Sequence, residues 1–64
     1  MKSYLSKLPK DIQDFLNKQT DCKVKIFNDL SILITFQGDE TFFPNILGKA
    51  NEDLREHFRD HFNS

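Results

Sequence analysis

The feature that most constrains the fold is a switch in hydrophobic period, from helical spacing to strict two-residue alternation, which occurs at Cys22. Two alternating runs follow it and are separated by a polar stretch at Asn28 and Asp29. Alternation of this kind is typical of strands that bury one face. We therefore predict strands over residues 22–27 and 31–37. Their inward positions are Cys22, Val24, Ile26, Ile32, Ile34 and Phe36.

The register of this hairpin follows from the need for cross-strand partners to share a face. A two-residue turn would place Ile26 opposite Ser31, whereas a three-residue loop over 28–30 pairs Ile26 with Ile32. Asn and Asp tolerate the left-handed conformation that such loops need. The three-residue loop is the better prediction.

A third, shorter strand is predicted over 41–43. A loop over 38–40, around Gly38, would set Phe42 opposite Phe36 and Phe43 opposite Thr35. Pro44 would end the strand, which suits the edge of a sheet.

Helices are predicted on both sides of these strands, over residues 9–19 and 51–62. Pro9 and Asp11 suit a first helical turn, and Asn51 is a plausible N-cap of the second helix. The stripe of the first helix is Leu5, Leu8, Ile12, Phe15 and Leu16, and that of the second is Ala50, Leu54, Phe58 and Phe62.

The sequence thus predicts a single α+β domain over residues 1–64, with the order α-β-β-β-α. The strands form a three-stranded antiparallel meander, and both helices pack on one of its faces. This order is similar to that of the double-stranded-RNA-binding domain. That family opens its last helix with a lysine-rich cluster, where this chain has Lys49, Glu52 and Asp53. The resemblance is therefore one of topology.

Composition favours a cytosolic protein. Cys22 is the only cysteine, so an internal disulfide or a multi-cysteine zinc site is excluded. The sequence has no apolar run near the roughly 18 residues of a membrane span, and residues 1–8 lack the apolar segment of a secretory signal. Frequent Lys, Asn, Ile and Phe suggest the A+T-rich genome of a bacterium or phage.

The predicted outward face of the sheet is the candidate binding site. Phe27, Leu33 and Phe43 would form a diagonal apolar stripe there, flanked by Lys23 and Lys25. Contiguous apolar patches usually mark contact surfaces. We expect a protein partner or self-association, with a homodimer as one form of the latter. The alternatives are an RNA or single-stranded nucleic acid stacked on the same face, or a stripe covered by the chain end through Met1, Tyr4 and Leu5.

His57 and His61, four residues apart, could bind a metal if Cys22 supplied a third ligand. A pair of partly buried or interface histidines is the favoured interpretation, because the sequence offers no second spaced pair. No metal, cofactor or catalytic residue is predicted.

Residues 41–48 resemble the Phe-Pro-His-Leu-Leu-Gly type of segment in small phage-borne nucleases of the barnase and RelE superfamily. The favoured interpretation is structural: an edge strand runs through a proline turn, with Phe42, Ile46 and Leu47 in the core.

From the outward face of the sheet and the lack of a predicted catalytic residue, the functional hypothesis is a small non-enzymatic binding module or regulator.

Overall fold

The computed structural model describes residues 7–63. It confirms the α+β class, the element order and the three-stranded antiparallel meander with strand order β1-β2-β3. The elements are α1 (Lys10–Lys18), β1 (Cys22–Ile26), β2 (Ile32–Phe36), β3 (Asp39–Phe43), a short 3-10 segment (Ile46–Gly48), α2 (Ala50–His57) and α3 (Arg59–Phe62).

The first hairpin has the predicted register, with Ile26 opposite Ile32 and Val24 opposite Ile34. Its loop is closed by the backbone N–H of Phe27, which donates to the Ser31 carbonyl at 2.9 Å. Leu30, and not Asn28 or Asp29, takes the left-handed conformation, with φ 70°.

In the second hairpin, the observed register differs from the predicted one by three residues. Its turn consists of Gln37 and Gly38 alone, with φ 53° and 88°, so that Asp39 pairs with Phe36. Positive φ at both central residues is the geometry of a type I′ turn, whose twist matches that of antiparallel strands. Two residues thus close the hairpin where three were predicted.

The core lies on one face of the sheet, and both helical regions pack there. Phe15 of α1 stacks on Phe58 and Phe62, with ring centroids 5.2 and 4.8 Å apart. The buried core residues are Leu8, Ile12, Phe15, Leu16, Ile32, Ile34, Phe43, Ala50, Leu54 and Phe58. Of the two predicted stripes, only Leu5 lies outside the described residues.

Helix α1 has the predicted extent to within one residue at each end. Its Asp11 receives two hydrogen bonds from Arg55 of α2, from Nε at 2.8 Å and from Nη2 at 3.1 Å. These bonds from the guanidinium hold the pKa of Asp11 below its ordinary value. The pair ties the two helices together at the surface.

The last helix differs from the prediction at its start and in its middle. It begins at Ala50, so Asn51 is not the N-cap. It is also interrupted at Phe58, whose φ of −106° and ψ of 27° are not helical. No helix-breaking residue lies there. Phe58 is only 4% exposed, and its ring packs against Phe15 of α1 and Phe36 of β2, so the interruption coincides with a residue held in the core.

Candidate functional site: the outer face of the sheet

The outer face is the side of the sheet opposite the helices, and its side chains follow from the observed register. Two rows cross the three strands: Lys23, Thr35 and Glu40 form one, and Lys25, Leu33 and Phe42 form the other. Phe27 follows at the end of β1. Within residues 7–63, no helix covers this face.

Two phenylalanine rings form the centre of the apolar surface. Phe27 and Phe42 meet edge to face, with centroids 5.7 Å apart and an interplanar angle of 85°. Phe42 is 52% exposed and Phe27 36% exposed. The Nζ of Lys25 lies 5.2 Å from the Phe27 centroid, within the range of a cation–π contact. The aromatic pair is therefore pre-arranged and open to solvent on one side.

The structure places Phe27, Leu33, Lys23 and Lys25 on the outer face, as the sequence predicts. The prediction that Phe43 also lies on this face is wrong. Phe43 is 5% exposed and packs in the core against His57 and Phe58. The shorter turn shifts β3 along β2, and an odd shift moves every side chain to the opposite face. Phe42 takes the outer position instead.

The sequence interpretation also missed three exposed apolar side chains at one end of the sheet. Leu30, Ile46 and Leu47 are 45%, 66% and 91% exposed. Ile46 and Leu47, like Phe42, were predicted to be core residues, and this prediction is wrong. Leu47 has φ 56°, a left-handed conformation that is unfavourable for a leucine. No spacing rule in the sequence indicates this conformation.

Asn45 joins the two segments that carry these residues. Its side-chain amide donates to the carbonyl of Asp29 at 2.9 Å, and its backbone N–H donates to Ser31 Oγ at 2.9 Å. Its side-chain carbonyl accepts the N–H of Ala50, 3.2 Å away, and so caps α2. Asn45 lies five residues before Ala50, so the usual preference for asparagine directly before a helix does not identify this cap from the sequence.

The charges on the outer face are divided between its edges. Lys23 and Lys25 are exposed on β1, and Glu40 is exposed on β3. In the loop after β1, the carboxylate of Asp29 accepts the N–H of Ser31 at 2.9 Å. This bond, with one from the Ser31 hydroxyl, lowers the pKa of Asp29.

His57 and His61 lie on the other side of the molecule. Both line an open groove of about 240 Å³ with Asp39 and Thr41. Their rings pack edge to face against phenylalanines, His57 against Phe43 at 5.6 Å and His61 against Phe36 at 5.3 Å. Among the described residues, no group of three or more His, Cys, Asp or Glu side chains could hold a metal ion.

Comparisons with protein-family models, with curated proteins and with solved structures gave no significant match. Between residues 7 and 63, no helix has the length and apolar character to cross a membrane.

Proposed function

We propose that this protein is a small, non-enzymatic binding module that contacts a protein surface through the outer face of its sheet. The observation that carries the proposal is the solvent-open pair of Phe27 and Phe42 on a face that none of the described helices covers. The single cysteine favours the cytosol, and the residue usage favours a bacterial or phage source, in which such a module would act as a regulator.

The energetics of this face favour a protein ligand. Burial of a phenylalanine side chain contributes roughly 1.5–3 kcal/mol, and aromatic residues are enriched among the few that dominate binding energy. The two rings already contact each other and Lys25, so little rotamer freedom remains to be lost on binding. Lys23, Lys25 and Thr35 supply a polar rim of the kind that surrounds such centres.

The proposal is tested by affinity capture from the native host with the wild-type protein and the Phe42→Ser variant. We expect a partner that is captured by the wild type and lost with Phe42→Ser. Leu47→Ser is the matched control, because Leu47 is still more exposed but lies off the outer face. Circular dichroism verifies that both variants fold. Equal capture by Phe42→Ser and wild type would contradict the proposal.

A nucleic-acid ligand is the competing hypothesis, and the position of Lys25 beside the Phe27 ring favours it. Such a site would stack bases on the aromatics and place Lys23 and Lys25 against phosphates. Two phosphate contacts on a single strand give a slope of roughly −1.4 in log affinity against log salt. An apolar protein interface is nearly insensitive to salt. Titration of a labelled single-stranded oligonucleotide at several salt concentrations therefore separates the two hypotheses.

A further inference from the structure

The outer face is complementary to itself in charge. Its basic side chains, Lys23 and Lys25, are both on β1, at one edge of the sheet. Its acidic side chain, Glu40, is on β3 at the other edge. The central strand contributes Leu33 and Thr35, which carry no charge. Within the three strands, the face is therefore positive along β1, negative along β3 and neutral along β2, while the carboxylate of Asp29 lies in the loop beyond β1.

We propose that the occupant of this face is a second copy of the same chain, packed face to face about a two-fold axis parallel to the strands. This inference rests on the proposed function and names its partner. A rotation about that axis exchanges the two edges and preserves the position of each row along the strands. It therefore places β1 of one copy over β3 of the other, which makes the interface isologous.

The observed rows determine the contacts. Lys23 and Glu40 share a row, so Lys23 of each copy lies over Glu40 of the second copy. Lys25 and Phe42 share the next row, so each Lys25 lies over a Phe42 ring of the second copy. Leu33, in the middle of that row, meets Leu33 of the second copy at the axis. Aligned sheets of this kind pack about 10 Å apart with a rotation of roughly 30°.

Charge also disfavours the other face-to-face arrangement. An axis that runs across the strands would place β1 over β1, and it would bring Lys23 and Lys25 of the two copies together. Juxtaposed like charges oppose such an interface. The division of charge between the edges thus selects the axis parallel to the strands.

The size of the face predicts a weak dimer. Three strands of five residues, at about 4.8 Å between strands and 3.4 Å per residue, cover roughly 240 Å² in projection. A standard interface buries about 800 Å² of accessible surface on each partner, and a face of this projected size falls short of that even though its accessible area exceeds its projection. We expect a weak, concentration-dependent dimer with a Kd on the order of 0.1 mM, so that a tenfold weaker variant remains measurable at about 1 mM.

Charge reversal tests this arrangement. Sedimentation equilibrium and NMR diffusion of the full chain, up to about 1 mM, measure the Kd of each variant. Lys23→Glu and Glu40→Lys should each weaken the dimer about tenfold, because each creates two like-charge contacts across the axis. The double variant Lys23→Glu with Glu40→Lys exchanges the charges and should restore the Kd to within about threefold of the wild type. Lys18→Glu, an equal charge change on exposed α1, is the control and should leave the Kd unchanged.

Three outcomes would overturn the inference: a wild-type protein that remains monomeric at about 1 mM, a double variant that fails to recover, or a dimer that persists with Phe42→Ser. A monomeric protein that still loses a captured partner with Phe42→Ser would leave the proposed function standing without the second copy. Circular dichroism spectra that match the wild type ensure that each loss reflects the interface.

Discussion

Phe42 and Phe43 are chemically identical neighbours in β3, yet they belong to the two different faces of the sheet. Phe43 is 5% exposed under the helices, and Phe42 is 52% exposed on the outer face. The inner face is filled by the core cluster, while the outer face carries a sparse aromatic pair with a charged rim. Strand register, and not residue type, therefore separates the structural aromatic side chains from those available for binding.

The largest expected effect is on the inner face. Phe43→Ala should cost about 3–5 kcal/mol, because it leaves a cavity in the core, and this is comparable with the whole stability of a chain of this size. Phe42→Ala should cost about 1 kcal/mol or less, since it removes mainly the edge-to-face contact with Phe27. Urea unfolding followed by circular dichroism measures both, and Phe43→Leu is a milder core variant. Equal losses at the two positions would reverse the assignment of the faces.

The second largest effect is expected at Asn45, which links the loop after β1 to the start of α2. Asn45→Ala removes two side-chain hydrogen bonds, one to the Asp29 carbonyl and one from the Ala50 N–H. We expect a loss of about 1–2 kcal/mol, of which the cap of α2 contributes about 1 kcal/mol. Asn45→Asp is the control, because it retains the acceptor for Ala50 and should recover part of the loss. Amide hydrogen exchange at Ala50 would report the cap directly, and unchanged protection in Asn45→Ala would contradict its role.

A change at the exposed end of the sheet should have the opposite sign. Leu47→Gly should stabilise the protein by about 0.5–1 kcal/mol, because glycine adopts the left-handed conformation without the strain that leucine carries. Leu47→Ala retains the strain and should leave the free energy of unfolding nearly unchanged, since the side chain is 91% exposed. If Leu47→Ala proves as costly as a core substitution, this end of the molecule is buried in solution.

The smallest effect is expected at the surface pair of Asp11 and Arg55. Both side chains are about half exposed, so Asp11→Asn should cost about 0.2–1 kcal/mol near neutral pH. The folded-state pKa of Asp11 is lowered, so this contribution is present above the unfolded value of 3.8 and is lost as the pH falls through the folded pKa. Unfolding of wild type and Asp11→Asn from pH 2 to 6 should converge at the acid end. A difference that persists there would point to packing instead of charge.

Local patterns determined the first half of the fold. The register of β1 against β2 follows from the alternation of apolar residues on both strands, because only one loop length pairs Ile26 with Ile32. The ends of α1 follow from its apolar stripe and from Pro9. From these elements the sequence correctly placed Phe27, Leu33, Lys23 and Lys25 on the outer face.

The second hairpin shows why the rest of the site could not be predicted. Adjacent phenylalanines give β3 no alternation of its own, so both registers bury one ring and expose the other. The choice depended on the turn, and Gln-Gly lacks the Asn or Asp that usually marks a type I′ hairpin. Gly38 at the second turn position was the available signal.

By itself, the sequence determined the class of fold, the order of its elements and the first strand pair, because each depends on periodicity over neighbouring residues. Only the tertiary structure decided which phenylalanine of β3 faces solvent, where the last helix breaks and how Asn45 joins two loops. These features depend on contacts between distant segments, such as Ser31 with Asn45 and Phe15 with Phe58. Local propensity carries no information about contacts at that separation.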